Sequence, residues 1–360
     1  MKNVRSWGLS ALAALVLAAC GGGGDGDQSP RVHYTAFVSF GDSLSDVGTY
    51  ATANLKAATG GFGGKYTVNS AAGKNWTELI AAQIGVAAPC AAVTGLNSFG
   101  PLAAFAEAET PHAGCYGYAQ GGARVTNLIG PANAAVVSMG DTSGYLGQLT
   151  EPVLTQINRH LAAVGSFSGT ELVTVLAGGN DVFMNLGAVG AGQATPTDAV
   201  TAMGTAGAEL AGYIKTLIVA NGAKHVVVVN LPDVSQTPFG YSVDAQTQGL
   251  INTMVTTFNS QLSAGLQGTP EVLLVDAYTQ GRAQTAAPAQ YGVTNNTVPA
   301  CDLAALSATL FASSLVCTAS TVISGDVSHY QFADTVHPTP YGYQLLAQYV
   351  TQQLALAGWL

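Results

Sequence analysis

Charge is what this sequence lacks most: Asp, Glu, Lys and Arg together make up only 9% of its 360 residues. Basic residues number 11 against 20 acidic ones, for a formal net charge of −9. A chain without a basic surplus makes a poor partner for phosphate backbones or anionic lipid surfaces, so no nucleic-acid partner is expected. Beyond residue 30 no apolar run reaches the roughly 20 residues that span a bilayer. No Pro/Ser-rich linker divides the chain there either, which predicts a single domain over residues 31–360. Cysteine is scarce, with five residues, no pair of which has zinc spacing. His-Glu-x-x-His is absent as well, so neither a metal nor a cofactor is expected. The shortage of charge does not mean disorder, because apolar residues reach 48%.

The first thirty residues stand apart. Lys2 and Arg5 precede an apolar run, Gly8 to Ala19, that is too short to span a bilayer. The run ends in Leu17-Ala18-Ala19-Cys20, the pattern of an export signal over residues 1–19. Cys20 at the cut is similar to a bacterial lipoprotein box, which makes it the candidate lipidation site. An ordinary signal peptide with an incidental Cys is the alternative. Gly21 rather than Asp after it points, by analogy, to the outer membrane, the other destination being secretion. Residues 20–30 then form a lipidated Cys and a Gly-rich tether reaching about 15–20 Å. Loss of Lys2 and Arg5 would take the net charge from −9 to −11.

Export agrees with the remaining cysteines, since an even number in an oxidising compartment implies disulfides. Sequence proximity favours Cys90–Cys115 and Cys301–Cys317, with crossed pairings or free thiols as alternatives. Each pair falls in a long turn-rich stretch, 87–116 and 282–331. Leu96, Phe99, Leu102, Phe105, Leu303, Leu306, Leu310 and Phe311 there form either an apolar groove for a ligand or ordinary core. Elsewhere apolar strand-like runs (34–40, 171–177, 224–230, 271–276) alternate with helical patterns (74–84, 149–164, 197–220, 246–266, 341–356). Strands without polar alternation, separated by helices, predict a three-layer α/β/α sandwich around a mostly parallel sheet of about five strands.

Four segments carry chemistry. The first strand ends in Gly41-Asp42-Ser43, which presents a hydroxyl at a strand-to-helix turn, with Asp42 and Asp46 shaping the turn and capping a helix. Gly117-Tyr118-Ala119-Gln120-Gly121-Gly122-Ala123 offers glycine N–H groups. Gly178-Gly179-Asn180-Asp181 offers an amide that donates without changing charge. Asp334 precedes His337 by three residues, a spacing that lets one loop present a carboxylate to one ring nitrogen and leave the other as a base. Each is also ordinary turn chemistry when taken alone. No Gly-x-Ser-x-Gly elbow occurs in the mature chain, which argues against an ordinary α/β-hydrolase.

Taken in order, GDSLSDVG (41–48), GYAQGGA (117–123), GGND (178–181) and DTVH (334–337) resemble the SGNH, or GDSL, hydrolase family, and the resemblance covers nearly all of 34–358. NLPDVSQTP (230–238) and FADTVHPTPYGYQLLA (332–347) are similar to blocks of its lipase and acyltransferase-like branches. The resemblance implies Ser43 as nucleophile, Asp334 and His337 as its relay, and Ser43 N–H, Gly121 N–H and the Asn180 side chain as oxyanion donors. Gly122 is the alternative to Gly121, because Gly117 stands where that block often begins with Asn. The implied function is a serine esterase or lipase acting on a small-molecule or lipid ester. As a partner it would need no more than that substrate, with membrane contact through the lipid anchor alone, and it is expected to be a monomer. Rivals are an acyltransferase, a carbohydrate acetylesterase and an inactive envelope-binding lipoprotein.

Overall fold

The computed structural model describes residues 32–360, and Val32–Leu360 form one compact unit. The export signal, Cys20 and the tether lie outside the described residues. The chain runs β1 (Ala36–Gly41), α1 (Ala53–Ala58), α2 (Trp76–Gln83), β2 (Val93–Leu96), β3 (Glu107–Pro111), α3 (Val153–Val164), β4 (Glu171–Leu176), α4 (Gly179–Gly190) and α5 (Pro196–Tyr213). It continues through β5 (His225–Val229), α6 (Pro238–Ser242), α7 (Ala245–Leu266), β6 (Val272–Val275), α8 (Ala277–Ala286), α9 (Leu303–Thr309) and α10 (Pro340–Leu356).

The main sheet has the order β1-β4-β5-β6, every neighbouring pair parallel. It has four regular strands where about five were expected. The shortfall is local, because residues 116–120 run along the free edge of β1 without becoming a regular strand. Ser39 N–H donates to Tyr116 O (3.0 Å) and Tyr118 N–H to Ser39 O (2.8 Å). The two faces of the sheet separate by alternation. Val38, Phe40, Val173, Val175, Val226 and Val228 pack with α3, α5 and α7. Phe37, Leu172, Leu176, Val227 and Val229 pack with Trp76 and Ile80 of α2 and Tyr343, Val350 and Leu354 of α10. Period-two burial of an almost uniformly apolar strand on both faces is what a covered parallel sheet requires, and the three layers follow.

The two turn-rich excursions pack against each other in a third apolar cluster that includes Tyr50, Tyr66, Leu96, Phe105, Leu306 and Leu315. β2 and β3 form an antiparallel pair inside the first excursion. Both favoured disulfides are present: Cys90–Cys115 and Cys301–Cys317, with Cα separations of 5.0 and 6.0 Å. Cys301 and Cys317 are buried within the third cluster, whereas Cys90 is exposed. The Cys301–Cys317 bond closes a loop of sequence separation 16, so chain-entropy reasoning assigns it about 3 kcal/mol. A Cys301→Ala/Cys317→Ala protein is therefore expected to unfold at lower denaturant, with a free-energy loss of that size read from urea curves.

Candidate active site

β1 delivers Ser43 through a tight reversal. Gly41 has φ +147°, and a Cβ there would lie 2.0 Å from Leu176 O, so only glycine lets β1 hug β4 at this point. The buried Gln156 side chain of α3 completes the strand end: its Oε1 accepts from Gly41 N–H and its Nε2 donates to Gly41 O, both at 2.8 Å. No helix opens after Ser43, in contrast to the sequence expectation. The Asp46 carboxylate instead accepts from Gly48 N–H (2.8 Å) and Thr49 N–H (2.7 Å), bending the chain away until α1 begins at Ala53.

The C-terminal loop supplies the other two groups. Ala333 N–H donates to His337 O (2.7 Å), closing a small loop just before α10. Within it Asp334 Oδ1 accepts from the N–H groups of Val336 (2.9 Å) and His337 (2.8 Å), and Oδ2 accepts from Ser314 N–H (3.1 Å). His337 Nδ1 lies 2.8 Å from Asp334 Oδ2. His337 Nε2 lies 2.8 Å from Ser43 Oγ. An ionised carboxylate can only accept, so Nδ1 carries the proton and Nε2 is left to accept from the Ser43 hydroxyl. The Tyr66 ring lies against the imidazole, with centroids 4.6 Å apart at 35°. Sequence reasoning missed Tyr66, Gln156 and the Ser314 N–H, none of which sits in a motif.

Two buried carboxyls beside His337 are driven apart. Burial alone would raise Asp334, but His337 and the N–H donors outweigh it and hold this carboxyl well below the usual carboxylate range. Burial dominates at Asp42 and pushes it up to about 7, against the N–H groups of Leu44 and Gly179 and the attraction of His337. Environment therefore marks Asp334 as the ionised partner of the ring.

The two donor segments are docked onto each other. Asn180 and Asp181 open α4, where the sequence suggested only a turn. Asn180 Nδ2 donates to Ala123 O at 2.8 Å, which leaves its second N–H for another acceptor. Asp181 accepts from Arg124 Nε (2.9 Å) and Val125 N–H (3.0 Å). Gly121 requires a correction. Its N–H donates to Asp46 Oδ2 at 2.9 Å and so is committed to holding the Ser43 turn. The N–H groups of Gly122 and Ser43 have no acceptor among the described residues.

The match that decides the family is direct: residues 37–350 correspond to the GDSL-like Lipase/Acylhydrolase family. This chain belongs to the GDSL-like lipase/acylhydrolase family. No match was found among curated proteins. Membership makes it an acylhydrolase acting on esters, and all four chemistry-bearing segments fall inside the matched span. The acylhydrolase cleft is lined by Ser43, Asn180 and His337 together with Leu44, Phe183, Val336 and Leu346. Of the eight excursion residues named as groove or core, none lines it. Leu96, Phe105 and Leu306 are buried in the third cluster with the others except Phe99 around them, so core is the reading that holds.

Proposed function

We propose that this protein is an exported serine esterase or lipase that works through an acyl-enzyme on Ser43. The observation that carries the reading is the continuous hydrogen-bonded series Asp334–His337–Ser43, its two ring contacts both at 2.8 Å. His337 Nε2 takes the Ser43 proton as Oγ attacks the ester carbonyl. The tetrahedral oxyanion is met by the Ser43 and Gly122 N–H groups and the second N–H of Asn180. The imidazolium then returns its proton to the departing alcohol, leaving an ester between the acyl group and Ser43. Water repeats the sequence, releasing the acid and restoring the serine hydroxyl.

A fluorophosphonate probe tests the reading: one equivalent should attach at Ser43, and a protein that stays unlabelled would overturn it. Asn180→Ala is expected to lower kcat about 100-fold or more, with KM moved far less, because the lost contact strengthens in the transition state. The Leu17-Ala18-Ala19-Cys20 cut favours anchoring through a lipidated Cys20 at the outer membrane. Labelled fatty acid should accordingly enter the full-length protein in its bacterial host and be absent from Cys20→Ala.

A further inference from the structure

One wall of the Ser43 cleft has no part in the chemistry above. It is formed by α8, which contributes Ala277, Gln280, Gly281 and Gln284 to the lining. Ala277 and Gly281 are four residues apart and therefore share one helix face, which sets two small residues side by side against the cleft. Gly281 lies in the helix interior, where glycine is the most costly residue short of proline. Packing does not demand it: a Cβ built at Gly281 meets no atom within 4 Å. The room it leaves belongs to the cleft. Leu44, Phe183 and Leu346 supply apolar walls to the same space. The buried Gln331 Nε2 donates to the buried Gln284 Oε1 at 3.2 Å, fastening α8 to the loop that carries Asp334 and His337. The wall is thus held in register with the reacting atoms.

We infer that this cleft receives the acyl chain of the ester, a linear aliphatic group longer than acetyl, and that Gly281 sets its width. The inference rests on the Ser43 reading above. The acyl group is the part that stays bound through both chemical steps, whereas the alcohol must leave and be replaced by water. An apolar, fixed-walled site suits the group that stays. Burying each added methylene favours the longer chain by about fourfold in kcat/KM until the cleft is filled.

The test compares two isomeric esters, ethyl hexanoate and hexyl acetate, which place the same six-carbon chain on the acyl or the alcohol side. Wild type should prefer ethyl hexanoate over ethyl butyrate more than tenfold. Gly281→Leu should lower the ratio of kcat/KM for ethyl hexanoate to that for hexyl acetate by at least tenfold. Gly281→Ala should shift the ratio the same way by less, and serves where the larger side chain prevents folding, as judged by circular dichroism. A ratio unmoved in both variants overturns the assignment, and so does a rise caused by selective loss of hexyl acetate. Wild-type protein inert towards all three esters overturns the hydrolase reading along with it, whereas activity with an unmoved ratio overturns this inference alone.

Discussion

Ser43→Ala should reduce ester turnover by about 10⁶-fold, to the level that binding and oxyanion donors alone sustain. The size of the loss follows from the geometry. Ser43 Oγ is the atom within reach of His337 Nε2, and with the oxygen gone the imidazole has no nucleophile to deprotonate. The fold should barely notice. The substitution removes one oxygen and one hydrogen bond from the rim of a cleft, a change of about 1 kcal/mol. Steady-state rates with a p-nitrophenyl ester, set beside thermal unfolding of both proteins, check the two halves separately. A variant that kept a hundredth of the wild-type rate would place the nucleophile elsewhere.

Asp334→Asn should cost about 10⁴-fold in kcat while leaving KM nearly unchanged. The Val336 and His337 N–H groups hold Oδ1, so an amide there keeps its oxygen towards those two and turns its NH₂ to the ring, leaving Ser314 N–H without its acceptor. His337 Nδ1 must then accept instead of donate, Nε2 becomes the protonated nitrogen, and the base is lost. Stability carries a second signature. The folded pKa of Asp334 is depressed, so its contribution is present above the unfolded value near 4 and is lost as pH falls through the folded value. The stability gap between wild type and Asp334→Asn should therefore be widest at neutral pH and close in acid, which urea titrations across pH will read.

The four main strands and five of the helices were legible because burial on a covered parallel sheet leaves a continuous apolar run, and the flanking helices keep a 3.6-residue stripe. β5 illustrates the limit of precision: residues 224–230 were expected and His225–Val229 formed, with only the polar ends trimmed. The helix over 197–220 was also sound, although its last turn widens into a π-type segment, Ile214–Val219. α4 was missed because its first two residues are Gly179 and Asn180, both poor helix formers that tertiary contacts override here. α8 was missed for the related reason that Gly281 and the polar glutamines give it almost no apolar stripe. At the site, residue types and order singled out Ser43, Asn180, Asp334 and His337 as candidates, and the fold joins Asp334, His337 and Ser43 by hydrogen bonds with Asn180 lining the same cleft. That Gly121 N–H is taken up by the carboxylate of Asp46 is a contact across 75 residues that no local pattern encodes.

The bond between Ser43 and His337 joins residues 294 apart in the chain. Near it, α10 covers the Trp76 and Ile80 side of the sheet, so the same C-terminal segment finishes both the site and the core. β1 in turn waits for β4, whose first partner Glu171 lies well over a hundred residues on from Ala36. Closing loops of that size costs entropy before any contact repays it, and folding dominated by such distant pairings is slow. A chain interrupted before residue 334 lacks both Asp334 and His337, the partners of Ser43. Hydrolysis at this site therefore begins only when the final stretch of polypeptide has docked, and the growing chain carries no reactive serine–histidine pair that could act on esters prematurely.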